Sequence, residues 1–386
     1  MAGRLFAIGA VLGALALAGC DDAEDTTTTS STQPTSTSAQ TTTSTTAQQT
    51  DTSSDKNKGP QLYFTAGEQF KKVPADLPPG DAQKQVEAAT QALIEGPPEA
   101  GRTTTQLPAG TRVEGVDVAK DGTATVEVSG EFLAGVPARA AARDDAQRQE
   151  IAARLGQLTY TLTQFDDVES VKVVAGGEPV EQEAQRADFA KPAQGPNFKT
   201  PPDGEKSSGT RQLQERLADL QYLPRSAVDG KDGYRTQQAV IAFQAWEGLE
   251  RDGVAGPITQ AALAKAKTPR PGNGGPSRRV EVYRDKGVAL LIAHDRVKRA
   301  IHVSSGGPGT STPAGTFEVY RKENPSWSVP FQVWLPYASY FTGGIAFHEY
   351  PDVPPYPASH GCVRVGSPEA PGVYRFAKLG TTVIVY

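Results

Sequence analysis

His360-Gly361-Cys362 lies near the C-terminal end of the chain, and His348 stands one short loop before it. A cysteine becomes a nucleophile when a nearby base takes its proton and fixed donors receive the oxyanion formed on the attacked carbonyl. His348 can be that base, because the intervening loop, with Pro351, Pro354, Pro355 and Pro357, can fold back on itself. Gly361 lets the backbone approach a substrate closely, and consecutive N–H groups around a tight turn there can point at one oxygen. All four histidines (His294, His302, His348 and His360) fall in the last quarter of the chain. Plainer readings stand beside this one. A lone cysteine is commonly buried packing, and His348, His360 and Cys362 could be three metal ligands, although their separations match no standard zinc spacing and no fourth ligand is evident.

The other cysteine, Cys20, has a different setting. Arg4 precedes an apolar run from Leu5 to Leu17, and Leu17-Ala18-Gly19 leads directly into Cys20. The run is too short to cross a membrane and remain there, so it reads as an export signal. It resembles the bacterial lipoprotein cleavage pattern, which implies cleavage before Cys20 and diacylation of its sulfur; an ordinary signal peptide is the plain alternative. Two lipid chains anchor stably. With Cys20 lipidated, Cys362 is left without a partner for an intramolecular disulfide.

A chain of 386 residues is long enough for two or three cores. Its 39 Lys and Arg against 44 Asp and Glu form no basic block, which argues against a nucleic-acid partner. Residues 21–60 form a tether: Asp21 to Ser54 is nearly all Thr, Ser, Gln, Asp and Ala and cannot bury a core. A coil of that length reaches roughly 30 Å on average.

Residues 61–182 read as an α/β domain. Leu62-Tyr63-Phe64 forms a short strand, and Asp81 caps a helix running to about Glu95 with Val86, Ala89 and Leu93 on one face. A hairpin turns at Asp121-Gly122, a second helix aligns Ile151, Leu155, Leu158 and Leu162, and a strand spans Val168 to Val174. Leu93-Ile94-Glu95-Gly96-Pro97, Leu107-Pro108-Ala109-Gly110-Thr111, Asp121 to Val126 and Phe165 to Val168, in that order, resemble the GerMN domain. The resemblance implies a structural or interaction module without enzymatic activity.

After a linker at 183–206, residues 207–267 fit three short helices. Leu213, Leu217 and Leu220 share a stripe, Thr236 can cap the second helix and Thr259 the third. Leu213-Gln214, Asp229-Gly230, Phe243-Gln244 and Asp252-Gly253 to Pro257 are similar to the three-helix peptidoglycan-binding domain, with Gln221 before Tyr222 where that family usually has Gly. Tyr222 and Trp246 could stack on sugar or belong to the core. A second linker, 268–277, leads to residues 278–386, whose many short apolar strands separated by Gly and Pro predict a mostly-β, sandwich-like domain or an irregular barrel.

In that last domain, Ser304-Ser305-Gly306-Gly307, Thr312-Pro313-Ala314-Gly315-Thr316-Phe317, Gly343-Gly344-Ile345-Ala346-Phe347-His348 and Ser359-His360-Gly361-Cys362-Val363-Arg364 resemble the signatures of the YkuD-type L,D-transpeptidases. The resemblance implies Cys362 as nucleophile, His348 as general base oriented by a main-chain carbonyl, His360 in a supporting role, and Gly361 at the oxyanion site. Arg364, Ser359, Tyr340 and Gly344 are the expected substrate-binding residues; for Arg364 the alternative is bracing of the cysteine loop, and Tyr337, Tyr340 and Trp334 could line a groove or pack in the core. Only eleven residues separate His348 from His360, and Glu349 follows the base where a small residue is more common.

The implied reaction needs no cofactor. The cysteine takes the acyl group from a peptidoglycan tetrapeptide stem, releases D-Ala, and passes it to a second stem as a 3-3 cross-link. Stem hydrolysis and a non-catalytic wall-binding scaffold are the alternatives. Partners are then stem peptides, glycan and, through the anchor, the membrane, with carbapenem β-lactams as inhibitors. The enzyme is expected outside the cell, lipid-anchored on the outer face of the cytoplasmic membrane and facing the wall.

Overall fold

The computed structural model describes residues 59–98, 103–196, 204, 207–272 and 274–386. The segment expected to be an export signal, Cys20 with its expected lipidation, and most of the expected tether lie outside the described residues.

In the N-terminal domain, β1 (Gln61–Ala66) and β2 (Gln69–Pro74) pair antiparallel about a turn at Gly67-Glu68, where Gly67 takes φ 57°. A second sheet runs in the order β3-β4-β5-β6, from β3 (Val113–Val118), β4 (Thr123–Val128), β5 (Ser170–Ala175) and β6 (Glu178–Pro179). Helix α1 (Ala82–Glu95) starts where expected, with the Asp81 carboxylate accepting from the Lys84 N–H. Helix α2 (Asp145–Leu162) carries a capping box between Asp144 and Gln147. The four-three-four spacing of Ile151, Leu155, Leu158 and Leu162 puts all four on one face, buried with Phe64, Val86, Leu93 and Val126.

The bundle consists of α3 (Ser208–Asp219), α4 (Tyr234–Glu247) and α5 (Pro257–Lys265). The two expected threonine caps are not formed. Helix α4 begins after Gly233 and α5 after Gly256 with Pro257 in its first turn, so Thr236 and Thr259 lie inside their helices. Both hydroxyls serve a repeated clamp instead. Gln214 Nε2 donates to Thr236 Oγ1 at 2.9 Å and to Asp229 at 3.0 Å, while its Oε1 accepts the Gly230 N–H at 2.7 Å. Gln244 does the same with Thr259 at 3.1 Å, Asp252 at 2.6 Å and the Gly253 N–H at 2.9 Å. Each buried glutamine thereby fixes one Asp-Gly turn, satisfying polar groups that would be costly to leave unpaired.

The C-terminal domain is β-rich, but it is one curled sheet rather than a two-sheet sandwich. Its strands are β7 (Arg278–Tyr283), β8 (Val288–Ala293), β9 (Arg296–Ser304), β10 (Gly315–Glu318), β11 (Arg321–Glu323), β12 (Ser326–Ser328), β13 (Val333–Leu335), β14 (Ala338–Thr342), β15 (Ile345–Tyr350), β16 (Val363–Gly366) and β17 (Thr382–Val385), with helix α6 (Ala370–Phe376) before the last strand. Nine of them form a sheet in the order β10-β17-β7-β8-β9-β16-β15-β14-β11. The sheet bends far enough to bring β10 against β14, where the Phe317 and Phe341 rings lie 5.9 Å apart. Strands β12 and β13 make a separate hairpin beside it.

Strand β8 explains how the bundle is attached. Ala289 and Leu291 face the core of the C-terminal domain, while Val288, Leu290 and Ile292 pack into one cluster with Leu217, Tyr222, Val240 and Phe243 of the bundle. A strand buried on both faces needs apolar residues throughout, and Val288-Ala289-Leu290-Leu291-Ile292-Ala293 supplies them. Tyr222, 1% exposed, belongs to this shared core, and Trp246 packs edge-on against Tyr283 at 5.1 Å. Among the described residues no helix is long and apolar enough to cross a membrane.

Candidate active site

The site is built on the parallel pair β15 and β16, whose register sets His348 opposite Arg364 and Phe347 opposite Val363. Cys362 immediately precedes β16, in a loop braced from within by Ser359 and from outside by residues 307–312. Ser359 turns inward: its hydroxyl donates to the Cys362 carbonyl and accepts the Gly361 N–H at 3.1 Å. The Ser359 carbonyl accepts from the Gly307 N–H at 2.9 Å and from Thr310 Oγ1 at 2.9 Å, and Thr312 Oγ1 donates to the Gly361 carbonyl at 2.7 Å. Gly361 sits at φ 119°, a conformation that side chains rarely adopt.

Cys362 is fully buried, with its Sγ accepting the Ala346 N–H at 3.2 Å and lying 3.7 Å from the Gly344 carbonyl. Burial, and then the charge of Glu68, push the thiol well above its ordinary range. His348 is also buried. Its Nδ1 bonds the Glu349 carbonyl at 2.8 Å, so Nδ1 carries the proton, and Nε2 has no hydrogen-bond partner. Burial and the nearby Arg364 charge lower its pKa to about 3, which keeps the ring neutral near pH 7. Of the other histidines, His302 is buried at the bundle interface with its Nδ1 2.6 Å from Gln238 Oε1, and His294 lies in the β8–β9 turn at φ 54°. Neither belongs to the site.

The remaining candidates fall into two groups. Gly344 and Arg364 face Cys362 and His348: Arg364 is 8% exposed, holds its guanidinium 4.0 Å over the Tyr350 ring and leaves Nε unpaired. The others support it. His360 stacks on Phe331 at 3.9 Å, and Tyr340 is wholly buried beside Cys362 with its hydroxyl 2.8 Å from Ser326 Oγ. Ser359, expected to bind substrate, spends both hydrogen-bonding roles of its hydroxyl on the loop, and Gly361 has its N–H directed at Ser359 rather than at an open position. Trp334 packs on Trp327 at 5.2 Å, and Tyr337 on Tyr374 at 5.8 Å.

One member of the site comes from another domain. Glu68, in the β1–β2 turn, is 2% exposed and has its carboxylate within 4.8 Å of both the Cys362 thiol and a His348 ring nitrogen. Ser328 Oγ donates to it at 3.1 Å, and burial raises its pKa to about 6 against the opposing pull of Arg364. The metal alternative read from the sequence joined His348 and Cys362 to His360; the structure groups Glu68 with them, and His360 faces Phe331. Nothing in the primary sequence around Glu68 marks it for this place.

Comparison with known proteins assigns the three regions. Residues 61–181 match the Germane model, described as sporulation and spore germination; residues 206–263 match a peptidoglycan binding domain; and residues 276–385 match the YkuD L,D-transpeptidase catalytic domain. A 63-residue stretch is 41% identical to the N-acetylmuramoyl-L-alanine amidase CwlL of Bacillus licheniformis; it covers 15% of this chain, which spans only 18% of that relative. A structure of L,D-transpeptidase 3 from Mycobacterium tuberculosis with a faropenem-derived adduct is 20% identical over 29% of this chain and 60% of that one, with a TM-score of 0.27. The L,D-transpeptidase structure from Xylanimonas cellulosilytica is 36% identical over 51% of this chain and 100% of that one, with a TM-score of 0.44. By that identity over the relative's whole length, and by the catalytic domain matched at residues 276–385, the chain belongs to the YkuD L,D-transpeptidases.

Proposed function

We propose that the protein forms 3-3 cross-links in peptidoglycan through a thioester on Cys362. The observation that carries this reading is the pairing of a buried thiol with a neutral imidazole whose Nδ1 is pinned by the Glu349 carbonyl and whose Nε2 is free. His348 Nε2 takes the thiol proton, and the sulfur attacks the carbonyl of the third residue of a tetrapeptide stem. The tetrahedral intermediate collapses, the bond to the terminal D-Ala breaks, and His348 returns the proton to the departing amine. A side-chain amine of a second stem then attacks the thioester, gives up its proton through His348, and regenerates the thiol. Arg364, charged and with Nε unpaired, can hold a substrate carboxylate.

The same reading places the enzyme outside the cytoplasm, tethered through a lipidated Cys20, with the bundle gripping the wall and carbapenems acylating Cys362. The test incubates the protein with purified disaccharide-tetrapeptide and follows products by mass spectrometry. Cross-linked dimer that disappears in Cys362→Ala is the expected result. Tripeptide without dimer would assign hydrolysis instead, and no product together with no carbapenem adduct would overturn the reading.

A further inference from the structure

We propose that the β1–β2 turn of the N-terminal domain is an intramolecular plug: residues Ala66 to Gln69 occupy the entrance to the thiol, and this tip must withdraw before a stem peptide can reach Cys362. The proposal rests on Cys362 being the nucleophile, and it gives the N-terminal domain a role that its family description does not supply.

Four observations carry it. First, the two turns meet backbone to backbone, with the Glu68 N–H donating to the Gly344 carbonyl at 3.2 Å. A Cβ added at Gly344 would lie 1.9 Å from the Ala66 carbonyl oxygen, and one added at Gly67 would lie 2.7 Å from Ile345 and 2.8 Å from Gly344. No substrate group fits between surfaces that close. Second, Glu68 reaches past the turn with its carboxylate among the thiol and imidazole, and Ser328 Oγ bonds both its carbonyl, at 2.9 Å, and its carboxylate, at 3.1 Å. A buried carboxylate with so few partners is costly to hold, which favours an arrangement that can open.

Third, the reacting groups are sealed. Cys362 is 0% and His348 3% exposed, and the nitrogen that must receive the thiol proton touches no polar partner. A nucleophile whose substrate is a macromolecule cannot act from beneath such a cover. Fourth, beyond the turn the interface is largely polar and runs to the separate β12–β13 hairpin: Trp327 Nε1 donates to the Phe189 carbonyl at 3.3 Å and Trp334 Nε1 to the Gln194 carbonyl at 3.1 Å, with Val329 packing against the apolar core of the N-terminal domain. Hydrogen bonds of this kind exchange with water at small net cost.

The experiment measures the rate at which iodoacetamide alkylates Cys362 in the full chain, resolved from Cys20 by peptide mass spectrometry. In Gly67→Val a branched side chain at φ 57° cannot share space with Gly344, and alkylation is expected to rise at least tenfold over wild type. Ser328→Ala, which leaves the sequence of the β1–β2 turn intact, is expected to give a several-fold rise and carries the test should Gly67→Val fail to fold. Leu290→Ala, in the bundle interface, controls for general loosening and should leave the rate near that of wild type. Equal rates in wild type and both plug variants, or an equal rise in the Leu290 control, would overturn the proposal. Cross-linking assayed on the same samples separates this outcome from a failure of the proposed activity. Faster alkylation without any product removes the enzymatic reading and leaves the plug, whereas product formed equally by all forms at equal alkylation rates removes the plug alone.

Discussion

The catalytic domain meets its two neighbours through surfaces of opposite character. Against the bundle it offers one whole face of β8 to a continuous apolar cluster, and Glu369 reinforces the join by pairing with Arg235 at 2.7 Å and Arg299 at 2.9 Å. Against the N-terminal domain it offers the Gly343-Gly344 turn, a serine hydroxyl, two indole N–H groups and the partly buried Val329. Burial of apolar surface is hard to reverse, because separating the parts returns roughly 25 cal/mol per Å² to water. Polar contacts are easily reversed, since water replaces each bond. The molecule thus has one joint built to stay closed and another suited to opening, and the Cys362 thiol lies at the second.

The contrast can be broken at several points. Leu290→Ala should remove about 2–5 kcal/mol of stability by leaving a cavity in the shared core, and the bundle and catalytic domain should still melt in one transition. Two well-separated transitions in calorimetry would mean that the two are not one cooperative unit. Glu369→Gln, which breaks both ion pairs at a mostly buried site, should cost about 1–3 kcal/mol in denaturant unfolding. A change below a few tenths would show the arginines to be adequately solvated without it.

At the other joint Ser328→Ala should cost only about 1 kcal/mol while speeding alkylation of Cys362, so the larger functional response accompanies the smaller loss of stability. Glu68→Gln tests the electrostatics more finely. The Glu68 charge raises the thiol pKa, so removing it should move the onset of alkylation to lower pH, toward the ordinary thiol value of about 8.5. An unchanged pH profile would show that the carboxylate does not act on the sulfur.

The placement of Cys362 beside His348 was legible in the sequence because it is set locally. Gly361, the proline-rich loop and the short separation of His348 from Cys362 all lie within one stretch, and strand pairing of β15 with β16 needs only that loop. The helices of the N-terminal domain were legible for the same reason, since Asp81 and the Ile151-Leu155-Leu158-Leu162 spacing act within a few turns. What the sequence hid was set by distant partners. Thr236 and Thr259 resemble helix caps until Gln214 and Gln244 claim their hydroxyls, and Ser359 resembles a substrate ligand until the loop closes on it. Glu68 is an ordinary turn residue until its domain docks, and no periodicity or motif encodes that event. Strand β8 lies between these cases: alternation marks Val288, Leu290 and Ile292, but Ala289, Leu291 and Ala293 are apolar too, a sign of a second covered face.

That doubly covered strand makes the bundle a ruler. Because it shares a core with the catalytic domain rather than hanging from a linker, any glycan it grips is held at a fixed reach and angle from Cys362. Stems at that spacing would be served and those nearer or farther passed over, so that selection among chemically identical stems becomes a matter of position along the strand.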